Sequence, residues 1–241
     1  MTTRVASAEH VADNVIQLRL VKPEGFTWKT GEFARVGLKI EGDEVFRAYS
    51  IGSSPASETV DFYIANVTGG ILSPKLNQIK TGDSVLIDTE VGGMLLADRL
   101  EAGGKDLWMF ASGTGVSPFL AVLSDESITS RFERLILVHG VRTWNETGYV
   151  SRLVKRSPKL TVVACVTREK GAAVNERIPD ALADGSLEKL AGITIEKEHS
   201  RVMLCGNPGM VKSVREAMKA RGIVSPRGGK PGQLLAENFW L

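Results

Sequence analysis

The sequence predicts two domains: a six-stranded antiparallel β-barrel over residues 1–100 and an α/β domain with a parallel sheet over residues 101–241. Three observations predict this. Short runs that alternate apolar and polar residues occupy the first part of the chain. After Gly103-Gly104 the runs become continuously apolar and alternate with helical patterns, as in a parallel sheet covered on both faces. A Gly113-Thr114-Gly115 loop then follows the first of those runs and opens a helix.

In the first part, Ala34, Val36, Leu38 and Ile40 share one face of a strand, with Arg35, Gly37 and Lys39 on the other. Val60, Phe62 and Ile64 alternate with Asp61, Tyr63 and Ala65 in the same way. Further strands are expected near 4–9, 14–21, 46–52 and 84–89, bounded by Pro23-Glu24-Gly25, Ser53-Ser54-Pro55, Thr81-Gly82-Asp83 and Gly92-Gly93. Six short strands at this spacing suit a barrel. A short helix is expected from Leu72 to Ile79. In the second part, buried strands are expected at 107–111, 135–138, 160–166 and 202–205. The helix from Pro208 to Arg221 carries Met210, Val211, Val214, Ala217 and Met218 on one stripe, and Pro208 suits its first turn. The domain boundary is expected near 98–105.

Composition excludes several function classes. The 241 residues are 43% hydrophobic and 24% charged, as in an ordinary globular protein. Thirty Lys+Arg against 28 Asp+Glu leave a net charge of +2, which is no nucleic-acid polycation. No apolar run is long enough for a membrane span, and the N-terminus shows no signal-peptide core. Two cysteines, Cys165 and Cys205, make neither a disulfide framework, a four-ligand zinc site nor an iron–sulfur cluster. The histidines have no metal-ligand spacing, so no metal site is expected. A reducing cytoplasm and a monomer are expected.

The most specific motif is Arg47-Ala48-Tyr49-Ser50-Ile51-Gly52-Ser53, at a strand end. Arg47 offers a planar fork for a pyrophosphate, Tyr49 a flat amphipathic ring and Ser50 a hydroxyl beside it. The glycine loop at 113–115 has the strand–turn–helix context of a dinucleotide site, with Pro118 where a third glycine would stand. Proline is tolerated there, in a first helical turn.

From Arg47-Ala48-Tyr49-Ser50-Ile51 onward, ordered motifs resemble the ferredoxin–NADP reductase family, in its bacterial ferredoxin (flavodoxin)–NADP reductase subgroup. The resemblance runs through Phe62-Tyr63-Ile64-Ala65, Gly70-Ile71-Leu72-Ser73 and Ala111 to Phe119. It continues through Leu137 to Arg142, Val166-Thr167-Arg168-Glu169, Leu204-Cys205-Gly206-Asn207-Pro208-Gly209 and Ala236-Glu237-Asn238-Phe239-Trp240, nearly the whole chain. It implies a barrel that binds FAD and an α/β domain that binds NADP(H), with a tail returning to the FAD. Arg47 would hold the FAD pyrophosphate, Tyr49 pack on the isoalloxazine and Ser50 bond near flavin N5. Ala48, Phe62, Tyr63, Ile64 and Ala65 belong to the same implied site. Gly70, Ile71, Leu72 and Ser73 would offer N–H groups at a helix start to a phosphate.

The resemblance further implies that Gly113 and Gly115 approach the NADP pyrophosphate and that Thr114 is shared between flavin and nicotinamide. Cys205 would lie beside the nicotinamide without covalent catalysis, near Asn207, Pro208 and Gly209. An NAD site would favour an acidic residue at the end of the second α/β strand. Here Val141-Arg142 stands there, Thr167-Arg168 closes the next strand and Arg177 follows. Those arginines match family positions around the adenosine 2′-phosphate, so NADP is expected over NAD. Trp240 would stack on the FAD, on its adenine or its isoalloxazine, with Phe239 in support. Glu237 would assist proton exchange with the flavin. The implied activity is reversible electron transfer between NADPH and ferredoxin or flavodoxin: hydride passes between nicotinamide and FAD N5, and one-electron steps follow. The alternative is a reductase serving an oxygenase, free flavin or a ferric chelate.

Overall fold

The structure is a computed structural model and describes residues 1–154 and 157–238. It divides into two compact units, residues 1–93 with 117–125 and residues 94–116 with 126–241. The first holds the strands β1 (Thr2–Ala12), β2 (Val15–Val21), β3 (Phe33–Ile40), β4 (Asp43–Ser50), β5 (Thr59–Ala65) and β6 (Ser84–Gly92). They form one six-stranded sheet in the order β4-β3-β6-β1-β2-β5, and every pair is antiparallel. Alternation decides which face is buried. Val60, Phe62 and Ile64 of β5 are fully buried, as are Ala34 and Val36 of β3, while the residues between them are not. These side chains join Ile16, Leu18, Leu20, Phe26 and Trp28 in a single apolar core. Just past β4, the Gly52 N–H donates to the Asp61 carbonyl of β5 at 2.7 Å, bridging the two edge strands.

The helix expected from Leu72 to Ile79 is a single turn, α1 (Ser73–Leu76). The Asn77 N–H makes the last four-residue bond, to the Ser73 carbonyl at 3.0 Å, and the Gln78 and Ile79 N–H groups turn instead to Lys75 and Leu76, three residues back. Helix α2 (Ser117–Ser124) also belongs to the first unit, where the Thr30 hydroxyl donates to the Asp125 carboxylate just beyond it.

The second unit is built on β7 (Asp106–Ser112), β8 (Arg134–Val141), β9 (Leu160–Val166), β10 (Ser200–Gly206) and β11 (Leu234–Asn238). All pairs are parallel, in the order β11-β10-β7-β8-β9. Every residue of β10 is buried and β7 is buried up to Ala111, which is why these strands read as unbroken apolar runs. One core joins Trp108, Phe110, Ile136, Val138, Val202 and Leu204 to side chains of α5 (Ile178–Ala183), α6 (Ser186–Ala191) and α7 (Pro208–Ala220). The short helices α3 (Glu126–Thr129) and α4 (Gly148–Val154) complete the unit.

Strand β11 lies in what the sequence presents only as a tail. Five residues after a Gly- and Pro-rich stretch carry too short a pattern to read alone, and only pairing with β10 reveals the strand. The expected boundary at 98–105 falls inside residues 94–116, which pack with the second unit. The reason is local. The buried Arg201 side chain donates to the carbonyls of Glu101 and Ala102 at 2.6 and 2.7 Å, and the Glu101 N–H donates to Gly232. That segment is thereby tied to β10 and to the approach to β11.

Candidate active site

In the first unit the candidate residues gather where β4 ends. Arg47 and Tyr49 pair with Val36 and Ala34 of β3, so both project to one face of the strand, and Ala48 projects to the other. The Arg47 guanidinium is exposed and donates to the neighbouring Phe46 carbonyl at 2.7 Å. Tyr49 is half-buried, and burial pushes its phenol up to about 12, an effect that the nearby Arg47 charge partly offsets. Ser50 is 3% exposed, and its hydroxyl has no hydrogen-bond partner among the described residues. A buried hydroxyl without a partner is costly and points to a ligand group that completes it.

The backbone around Ser50 is held firmly. The Ser117 hydroxyl, at the start of α2, donates to the Ser50 carbonyl at 2.9 Å, and the Ile51 N–H donates to Glu32. Gly52 leaves no room for a side chain: a Cβ there would lie 2.8 Å from the Tyr63 ring and 3.1 Å from the Ser117 hydroxyl. Ser117 and Gly52 were not candidates from the sequence. Gly52 lies in the strand-end motif and Ser117 in the matching run from Ala111 to Phe119, but neither carried a role of its own.

Phe62 and Ile64 point into the core, so only their backbone is available to a ligand. Tyr63 and Ala65 face the other way, and the Tyr63 hydroxyl bonds the Gln17 side-chain amide at 3.0 Å. Gly70 to Ser73 make a turn into α1. The Gly70 N–H donates to Val67, and the Ser73 hydroxyl accepts the Val67 N–H at 3.1 Å.

In the second unit the candidates gather at the carboxyl edge of the parallel sheet, where such sheets bind ligands. The loop Gly113–Val116 is a 3-10 turn leaving β7. Gly115 lies tight against β10: a Cβ there would sit 2.5 Å from the Cys205 carbonyl oxygen and 2.8 Å from the Gly206 α-carbon. Both are backbone atoms and cannot swing aside. Gly115→Ala should therefore cost about 1–3 kcal/mol of stability, as overpacking does. Chemical denaturation measures it, and an unchanged midpoint would show that the loop is not held in this position.

Cys205 is fully buried and pairs with Glu237 of β11, so two candidates from distant parts of the chain are neighbours across the ladder. Cys165 is a core residue whose thiol burial pushes up to about 12, which leaves it inert as a nucleophile. The Glu237 carboxylate accepts the Met94 N–H at 2.9 Å. Burial raises its pKa from the ordinary 4.5, and the Met94 bond opposes this in part. A raised carboxyl favours the fold in its protonated form. Its contribution is full below pH 4.5 and is lost as pH rises through the raised value. Glu237→Gln keeps an acceptor for Met94 and cannot ionise, so the melting temperature of the variant should fall less over that window. Parallel melting profiles of the two proteins would contradict the assignment.

Asn207, Pro208 and Gly209 begin α7. The Asn207 side chain caps the helix by accepting the Gly209 and Met210 N–H groups at 2.9 and 3.3 Å. Arg142 and Arg168 leave adjacent strands β8 and β9 together: the Arg168 N–H donates to the Arg142 carbonyl at 2.9 Å, and both side chains are exposed. Thr167 is tied to Val141 through its backbone N–H and its hydroxyl. Arg177 is exposed at the N-cap of α5, within the same unit. Phe239 and Trp240 lie outside the described residues.

Along its whole length the chain is 35% identical to the flavodoxin/ferredoxin–NADP reductase of Escherichia coli, over 98% of that protein, and 33% identical to the ferredoxin–NADP reductase of Pseudomonas aeruginosa, over 97%. The chain belongs to the ferredoxin–NADP reductase family. The structure of a family member from Neisseria gonorrhoeae, described with bound FAD and NADP, is similar at a TM-score of 0.93 and 30% identity, over 99% of this chain and 98% of that one. The family model described as an oxidoreductase FAD-binding domain matches residues 2–94, and that of an oxidoreductase NAD-binding domain matches residues 109–216. Both reductase domains of this family are thus present, as the sequence implied. Among the described residues no helix is long and apolar enough to cross a membrane.

Proposed function

We infer that this protein is a flavoenzyme that transfers electrons reversibly between NADPH and ferredoxin or flavodoxin. FAD, when bound, supplies the conversion between a two-electron donor and one-electron transfers. The observation that carries the reading is the buried, unpartnered Ser50 hydroxyl beside Tyr49 and Arg47. In this reading the first unit holds FAD. Arg47 pairs with its pyrophosphate, Ala48 and Tyr49 bear on the ring system, and the Ser50 hydroxyl supplies a hydrogen bond near N5. Residues 62–65 and 70–73 line the rest of that site. The second unit holds NADP(H), with residues 113–115 at the pyrophosphate and Val141, Arg142, Thr167, Arg168 and Arg177 around the 2′-phosphate. Cys205 and residues 207–209 bear on the nicotinamide end, and Glu237 assists proton exchange with the flavin. Phe239 and Trp240 belong to the FAD site in the same proposal.

The residues fit these groups chemically. Arginine forks suit pyrophosphate and phosphate, and glycines admit them to the backbone. No step needs a covalent bond to the enzyme. Service to an oxygenase, free flavin or a ferric chelate is not favoured, since the full-length relatives at 30% identity or more are reductases of ferredoxin and flavodoxin. A monomer working in the cytoplasm completes the proposal; neither cysteine forms a disulfide, which suits a reducing compartment.

The test is the colour and its response. The purified chain should be yellow, and heat should release FAD in a ratio of about one per chain, as noncovalent retention of one flavin per site implies. Anaerobic NADPH should bleach it. Release of FMN, or no flavin after reconstitution, would overturn the reading.

A further inference from the structure

His139 is a buried ionisable side chain for which the reaction described above has no use. It lies on β8 opposite Ala111 of β7 and is 1% exposed. Its Nε2 is 2.9 Å from the Gly113 carbonyl oxygen, at the first residue of the glycine loop. A carbonyl oxygen only accepts, so Nε2 carries the proton and donates. Nδ1 is then a bare acceptor, and it has no partner among the described residues. The Tyr149 ring stands edge-on to the imidazole, with centroids 6.2 Å apart, and helps set its plane.

A side chain that only filled this space would do better as leucine or phenylalanine, which leave no unpaired nitrogen in the core. What the imidazole adds is one hydrogen bond, and it goes to the loop. Burial lowers the His139 pKa to about 4, so the ring stays neutral, with a single donor, throughout the neutral range.

Gly113 has φ +54, and no atom of the described residues lies within 4 Å of the place a Cβ would take. A trans peptide is planar and its C=O and N–H point in opposite directions. With the Gly113 carbonyl held by the buried ring, the Thr114 N–H must point away from it. We propose that His139 is a positioning residue for the nucleotide: its Nε2–H fixes the Gly113 carbonyl so that the backbone of residues 113–115 presents N–H groups to the pyrophosphate. This rests on the reading of that loop as part of the NADP(H) site.

The experiment compares His139→Leu and His139→Gln with the wild-type holoenzyme. Dissociation constants are measured for NADP+ and for adenosine 2′-phosphate, a probe with the 2′-phosphate and no pyrophosphate. His139→Leu should keep its FAD, its melting temperature and its affinity for adenosine 2′-phosphate. Its affinity for NADP+ should fall about 3- to 10-fold, the loss of one neutral hydrogen bond. His139→Gln, with an N–H donor near the Nε2 position, should recover most of that loss. Equal losses on both probes, or no loss on NADP+, would overturn the proposal. A wild-type protein that binds neither probe would instead overturn the reading of the nucleotide site. Nitrogen NMR of the wild-type histidines needs no variant. The Nε2–H tautomer, shifted by NADP+ and not by adenosine 2′-phosphate, supports the proposal; the Nδ1–H tautomer overturns it.

Discussion

Replacing Arg142 and Arg168 together by alanine should abolish most of the preference for NADPH over NADH. The two residues leave neighbouring parallel strands in register, joined by the 2.9 Å bond from the Arg168 N–H to the Arg142 carbonyl. Both side chains are exposed and start from backbone positions fixed by the sheet, and the planar guanidinium fork matches a phosphate. Each hydrogen bond to a charged group is worth about 1.5–3 kcal/mol. A single substitution should therefore lower kcat/KM for NADPH by about 10- to 150-fold, and the double substitution by more. NADH lacks the 2′-phosphate and should change little. Arg177→Ala should show the same sign with a smaller effect, because Arg177 stands on the loop entering α5 rather than at a strand end. Steady-state rates with both nucleotides measure this. Equal losses on the two would assign these arginines to the fold or to the shared pyrophosphate.

Ser50→Ala should lower kcat by about 10- to 150-fold if its hydroxyl bonds a flavin nitrogen whose charge changes during transfer, the value of one hydrogen bond to a charged group. The apoprotein should not become less stable, because the hydroxyl has no partner among the described residues. Removing it relieves a buried donor that has given up water for nothing. Ser117→Ala is the contrasting change. It deletes the 2.9 Å bond to the Ser50 carbonyl and should cost about 0.5–1.5 kcal/mol of stability. Denaturation of apoproteins, paired with turnover of holoenzymes, separates the two. If Ser50→Ala destabilises the apoprotein and leaves kcat unchanged, the hydroxyl is structural.

Much of this was legible in the sequence, for physical reasons that differ by element. Strand β10 reads plainly because both of its faces are covered and all seven residues are buried. Strand β5 reads plainly because one face is core and the other is not. Strand β11 did not, since its five residues gain their meaning only beside β10. Helix α1 was overextended because the apolar spacing of Leu72, Leu76 and Ile79 continues past Asn77, where the backbone bonds shorten from four residues to three. Arg47, Tyr49 and Ser50 were legible as a group because three side chains that can donate hydrogen bonds stand together at a strand end. The pairing of Cys205 with Glu237 was not, since their neighbourhood depends on the order of strands in the sheet. The bonds that Ser117 and His139 make were not legible for a related reason. Each acts through a backbone carbonyl, of Ser50 and Gly113, and backbone partners leave no mark in a sequence.

The most direct measurement is NADPH-driven reduction of purified ferredoxin and flavodoxin by the FAD-loaded enzyme, beside cytochrome b5 and free FMN as alternative acceptors. Fast, saturable reduction of the two carriers, with slow reduction of cytochrome b5 and FMN, is the predicted result. Similar rates on all four acceptors, or no reduction of either carrier, would contradict the assignment of this protein as a ferredoxin or flavodoxin reductase.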